Sequence, residues 1–160
     1  MRRLRRLLSL SPRQWAGLVQ AYWLLLRARL WSLIHRDALG LPIAALGSSL
    51  QHPPLTPVQQ RVVAEGVRLV DIASRYPFRW ALCLPRSLAL LWWLKARGIQ
   101  ADLRIGVRKE GQELIAHAWV EYQGRVLNDA PWVASYYLPL TPARSPSGPR
   151  PSDKAKEPGP

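Results

Sequence analysis

At 160 residues and 18.1 kDa the chain is long enough for one domain with its own core and short for two. A hydrophobic share of 48% with eight Trp excludes a wholly disordered chain. The net charge of +13 is unevenly placed: residues 1–36 hold eight Arg and no acid, residues 37–140 hold eleven Lys or Arg against eight Asp or Glu, and the last twenty residues add +2. A basic excess confined to one end is not the basic stripe with interleaved aromatics that a nucleic-acid interface requires, so no nucleic-acid partner is expected. The single cysteine, Cys83, excludes an internal disulfide framework and a thiolate-cluster metal site, and it suits a reducing, cytoplasmic compartment. His35, His52 and His117 are too widely separated to suggest a metal site, and none is expected.

The opening MRRLRRLLSLSPRQW has the positive flank of a signal peptide without small-residue cleavage chemistry. Its longest uncharged stretch, Gln14 to Leu26, is shorter than the roughly 20 apolar residues of a membrane span, so neither signal nor anchor is expected. Ser11-Pro12 is instead a helix start, an N-cap followed by proline at the first helical position. Trp15, Leu18, Val19, Tyr22, Trp23, Leu26, Leu30, Leu33 and Ile34 then recur at helical spacing, with Arg13, Gln20, Arg27 and Arg29 on the other face. Such a helix either packs its apolar face on the core or offers it to a partner or an anionic membrane surface, so peripheral contact at the inner membrane face stays open. Residues 37–55 read as a connector, which closes an N-terminal helical region of residues 1–55.

A core of residues 56–138 follows. Thr56-Pro57-Val58-Gln59 is a capping box that starts a helix whose apolar face, Val58, Val62, Leu69, Val70 and Ala73, runs to about Ser74 before Pro77. Leu84 to Arg97 is a helix apolar nearly all round, so it is expected to be buried through the middle of the fold, ending at Gly98. The period then changes from 3.6 to 2: Leu103, Ile105 and Val107 alternate with Arg104, Gly106 and Arg108. Strands are expected at residues 113–121 and Arg125 to Asp129, with a last short one around Tyr136-Tyr137-Leu138. Seven Pro among the last twenty-two residues mark 139–160 as a disordered tail. The fold class is α+β, a central helix packed on a small antiparallel sheet.

Three residues carry the chemistry. Cys83 lies at the mouth of the buried helix, because Pro85 fits only a first helical turn. A free cysteine usually packs as a small hydrophobe, but unpaired amides and the positive dipole end of a helix are a setting that favours thiolate. His117 lies in mid-strand beside the small residues Ala116 and Ala118. Asp129 closes Val126-Leu127-Asn128-Asp129. A two-residue loop at Gln123-Gly124 would turn His117 and Asp129 to opposite sides; a three-residue loop with Gly124 as the bulge residue would put them on one face. The turn chemistry permits either. Thiol, imidazole and carboxylate in this order suit nucleophilic catalysis, with the Cys83 backbone amide as an oxyanion donor.

The words WALCLPRSLALLWWLKARGI, then IGVR, then AHAWVEYQGRVLND resemble the transglutaminase-like cysteine-peptidase core, and more narrowly the leader peptidases of lasso-peptide biosynthesis. The resemblance spans roughly residues 57–138, and the basic helical N-terminus is similar as well. It implies a papain-like α+β fold with Cys83 as nucleophile, His117 as general base and Asp129 as orienting acid. It also implies removal of a leader from a ribosomally made precursor peptide, after which a partner cyclase closes the macrolactam. Fused members carry a strand-rich leader-recognition module; residues 1–55 read helical, so a separate recognition protein is the expected partner. The Trp80 indole N–H is the second oxyanion donor this reading names. No phosphate-binding glycine loop is present, so no cofactor is expected on this chain and ATP is assigned to the cyclase. The same triad would serve a transglutaminase-like amidase or acyltransferase on another peptide. A non-catalytic scaffold that binds acidic partners or membrane through its basic helix is the third reading.

Overall fold

The computed structural model describes residues 11–34, 52–75 and 82–140. Helix α1 spans Pro12–Ile34, α2 Pro57–Arg75 and α3 Cys83–Lys95; strands β1 (Asp102–Glu110), β2 (Glu113–Tyr122) and β3 (Arg125–Val126) follow, then the short helix α4 (Val133–Tyr136) and β4 (Leu138–Pro139). Residues 37–51 of the connector, Trp80 and the tail beyond Leu140 lie outside the described residues. The architecture is α+β: three helices against one antiparallel sheet of strand order β3-β2-β1-β4.

Two helices begin on reciprocal caps. The Gln59 amide donates to Thr56 Oγ1 at 3.3 Å while the Thr56 amide donates to Gln59 Oε1 at 3.0 Å. Ser11 and Gln14 make the same exchange at the start of α1. α3 is the buried helix the sequence predicts, with Leu88, Ala89, Leu90, Trp93 and Leu94 almost wholly enclosed. Both neighbours approach Trp93 through glycine: a Cβ on Gly66 of α2 would stand 2.4 Å from Trp93 Cδ1, and one on Gly17 of α1 would stand 3.2 Å from Trp93 Cη2. Arg97 closes the stack, its guanidinium 3.4 Å from the Trp93 ring centroid.

Of the two orientations the sequence leaves open for α1, the structure shows the one with the large apolar stripe outside. Gly17, Ala21, Leu25 and Ala28 are buried, whereas Trp15, Val19, Trp23, Leu26, Leu30, Leu33 and Ile34 are exposed. Close approach to α3 selects small side chains, which leaves the larger apolar stripe outside. Among the described residues no helix is long and apolar enough to cross a membrane.

β1 and β2 pair along their full length, with Gly106 opposite His117 and Arg104 opposite Trp119. Leu103 and Val120 face the helices, where they join the clusters around Leu88 and around Trp93. Arg104, Trp119 and Glu121 occupy the other face and are buried. There Arg104 Nε donates to Glu121 Oε2 at 3.0 Å and the Trp119 indole donates to Glu121 Oε1 at 2.7 Å. The predicted last strand begins later than expected: residues 133–136 are helical, and Leu138–Pro139 pair with Val107 and Gly106. Because the Leu140 amide also donates to the Ile105 carbonyl at 2.8 Å, residues 139 and 140 belong to the sheet edge and not to a tail.

Candidate active site

The β2–β3 hairpin decides where the candidate carboxylate goes. Tyr122 pairs with Arg125, so the loop is the two-residue Gln123-Gly124, both at positive φ (50° and 75°) as a type I′ turn requires. In that register a strand continued to Asp129 would turn its side chain away from His117. The strand does not continue. β3 ends at Val126, three residues short of the predicted end, and the last ladder bond runs from the Leu127 amide to the Val120 carbonyl at 2.9 Å.

Side chains satisfy the β2 edge beyond that point. A longer β3 would offer the Leu127 carbonyl to the Val120 amide and the Asp129 amide to the Ala118 carbonyl. Instead Val120 N–H donates to Asn128 Oδ1 at 2.8 Å, and Ser87 Oγ donates to the Ala118 carbonyl at 3.0 Å. Asn128 Nδ2 in turn donates to Ser87 Oγ at 2.9 Å. Released from the ladder, Asp129 reaches the imidazole: His117 Nε2 and Asp129 Oδ2 are 2.9 Å apart. The pair is only partly enclosed, with side-chain exposures of 22% and 29%. Asp129 Oδ1 accepts the Ala130 amide at 2.8 Å, so both carboxylate oxygens are engaged.

The same contacts seat the start of α3. Ser87 is wholly buried, and beside it the Arg86 guanidinium donates to the Asn128 carbonyl. Cys83, the half-buried first residue of α3, lies one turn before Ser87 and shares its face of the helix. The helix start therefore stands at the stretch of β2 edge next to His117. Among the described residues no hydrogen bond joins the thiol to the imidazole.

The start of α3 differs from the other two. Its N-cap is Leu82, which makes no side-chain cap, and among the described residues no side chain bonds the first-turn amides of Cys83 and Leu84. An uncapped helix start with a thiol at its first residue can meet a developing oxyanion with the Cys83 N–H. With Nε2 directed at the carboxylate, Nδ1 is the nitrogen able to accept a proton.

Tyr137 covers the imidazole, its ring stacked at 5.0 Å between centroids and 26° between planes. Trp119 lies on the same stack, with its centroid 6.2 Å from that of His117. Exposed Trp132, Tyr136 and Leu138 surround this stack with apolar surface. Tyr137, Ser87 and Asn128 escape the sequence reading. The signal available for Ser87 is its position one helical turn after the cysteine; for Asn128 it is an asparagine directly before the acid. Among the described residues no group of three or more His, Cys, Asp or Glu could hold a metal ion.

The sequence profile of the transglutaminase-like superfamily matches residues 22–142. The microcin J25-processing protein McjB of Escherichia coli is 51% identical over 49 residues, a stretch that covers 31% of this chain and 23% of McjB. The similarity thus spans less than a quarter of that relative's length. No solved structure matches the chain.

Proposed function

The chain belongs to the transglutaminase-like superfamily, and on that premise we propose that it is a cysteine peptidase that removes the leader from a ribosomally made lasso-peptide precursor. The observation that carries this reading is the 2.9 Å contact between His117 Nε2 and Asp129 Oδ2 beside the uncapped start of α3. The partial identity with a microcin-processing protein supports the choice of substrate.

The chemistry follows from the arrangement. Asp129 holds the imidazole with its proton on Nε2, and Nδ1 takes the proton of the Cys83 thiol. Sγ attacks the scissile carbonyl, and the Cys83 N–H stabilises the oxyanion. The imidazolium then protonates the leaving amine, and water, activated by the same ring, hydrolyses the thioester. These steps use no cofactor of this chain. In this reading the precursor is delivered by a separate recognition protein, and the freed core passes to a cyclase that uses the pathway's ATP. A reducing cytoplasm keeps the thiol free.

Mass spectrometry of a candidate precursor incubated with this protein and its recognition partner tests the reading. One cut at the leader–core junction, absent with Cys83→Ala, is the expected result. An intact precursor despite demonstrated binding overturns it.

A further inference from the structure

A second site lies behind the candidate active site. A cavity of about 920 Å³ opens between α2 and the β2–β3 hairpin, and neither Cys83, His117 nor Asp129 lines it. Its floor is apolar and buried, formed by Val63, Val70 and Leu90. Among the described residues three arginines, Arg68, Arg86 and Arg125, line it against one acid, Asp71. That acid is already paired with Arg75 at 3.0 Å. Arg86 is committed to the Asn128 carbonyl, whereas Arg68 and Arg125 are exposed and form no ion pair among the described residues. The cavity therefore presents positive charge above an apolar floor.

One wall is the free edge of a sheet. β3 is the outermost strand, and its bonds to β2 are made by the residues flanking Val126. By the alternation of an antiparallel ladder, the N–H and C=O of Val126 point away from β2, on the side where Val126 lines the cavity. An edge that offers a donor and an acceptor together pairs with an extended chain. A free phosphate would use the donor alone and leave the apolar floor uncovered. A peptide strand uses both backbone groups, covers the floor with alternate side chains and can bring a carboxylate to the rim.

We propose that this cleft binds an extended acidic peptide segment, paired with the free edge of β3 and with carboxylates at Arg68 and Arg125. Asn128 lines the cleft while the next residue, Asp129, holds His117, so the bound segment lies against the backbone that carries the candidate acid. Its use as a distant anchor for the substrate rests on the peptidase reading. The binding itself does not.

Binding is measured on the full-length Cys83→Ala protein, by fluorescence anisotropy of a fluorescein-labelled hexapeptide of alternating Glu and Val. The expected result is saturable binding, weakened roughly tenfold by Arg68→Glu with Arg125→Glu. N-methylation of alternate probe residues should weaken it by a similar factor. Arg61→Glu, on the same helix but outside the cavity, should leave affinity unchanged, which separates the cleft from general attraction to a +13 chain. A Lys–Val probe should bind the double-reversal variant better than its parent, which also shows that the variant is folded. No binding of the Glu–Val probe, or indifference to either the reversal or the N-methylation, overturns the proposal. Binding without precursor cleavage by the wild type would leave the cleft standing and remove the peptidase.

Discussion

Asn128 Oδ1 accepts the Val120 amide at 2.8 Å, in the position that a longer hairpin would give to the Leu127 carbonyl. One asparagine thereby ends β3, frees Asp129 to turn, and through Ser87 Oγ ties the start of α3 to the same edge. Asn128→Leu leaves the Val120 amide and the Ser87 hydroxyl without that partner in a buried setting, and is expected to cost about 1–3 kcal/mol in urea unfolding. Ser87→Ala should cost a similar amount. Because the two side chains bond to each other, the double variant should lose clearly less than the sum of the singles. Strict additivity would mean that the two residues act separately.

Asp129→Asn probes the tautomer. Asp129 Oδ1 accepts the Ala130 amide, so an amide side chain here would keep its oxygen on that N–H and turn its NH₂ toward His117 Nε2. A donor facing Nε2 forces the imidazole proton onto Nδ1, the nitrogen assigned to receive the thiol proton. Peptide cleavage should fall by about 10²–10⁴-fold with unchanged far-UV circular dichroism. Near-normal cleavage would remove Asp129 from the chemistry.

Much of this was legible before the structure, and the misses have physical causes. Thr56 with Gln59 and Pro85 after Cys83 announced helix starts because caps and first-turn prolines act locally. The alternation after Gly98 announces β1 because Leu103, Ile105 and Val107 share the face toward the helices, although the opposite face, with Arg104, is buried as well. The sequence leaves the orientation of α1 open, because its apolar stripe can pack on the core or stay outside; the inward face is chosen by the fit of Gly17 and Ala21 to their neighbours. From the sequence, the His117–Asp129 pair depends on loop length alone, a three-residue turn allowing it and a two-residue turn opposing it. The structure reaches it by ending the strand with a side chain, a tertiary event that local turn chemistry does not encode.

Gly66→Ala pits helix propensity against packing. Alanine in a helix interior gains about 1 kcal/mol over glycine. Here the new Cβ would lie 2.4 Å from Trp93 Cδ1 and 2.5 Å from Nε1, on a ring that is 1% exposed and held from its other sides by Gly17 and Arg97. The ring cannot step aside, so a net loss of about 1–3 kcal/mol is expected. Gly17→Ala meets the flexible tip of Leu69 at 2.8 Å and Trp93 only at 3.2 Å, and should cost less. Thermal denaturation of the two variants side by side checks the order; a more stable Gly66→Ala would show that α2 can shift.

Gly106→Ala tests whether the aromatic cover of the imidazole matters. Gly106 pairs with His117 on one side and Pro139 on the other, and a Cβ there would meet Tyr137 Cβ at 2.7 Å, Trp119 Cη2 at 2.9 Å and the Leu138 carbonyl at 3.1 Å. Two of these three contacts are backbone or the first side-chain carbon, which cannot swing away. β4 must therefore move off β1 and take Tyr137 with it, while the His117–Asp129 bond, made from the opposite flank, has no reason to break. The expected outcome is a rise in KM with a smaller fall in kcat, together with a stability loss of about 1–3 kcal/mol. Tyr137→Leu, which removes the stacked ring without forcing the strands apart, should reproduce the KM effect with less loss of stability. A collapse of kcat in both variants, with KM unchanged, would instead place Tyr137 among the groups that hold the ring for proton transfer.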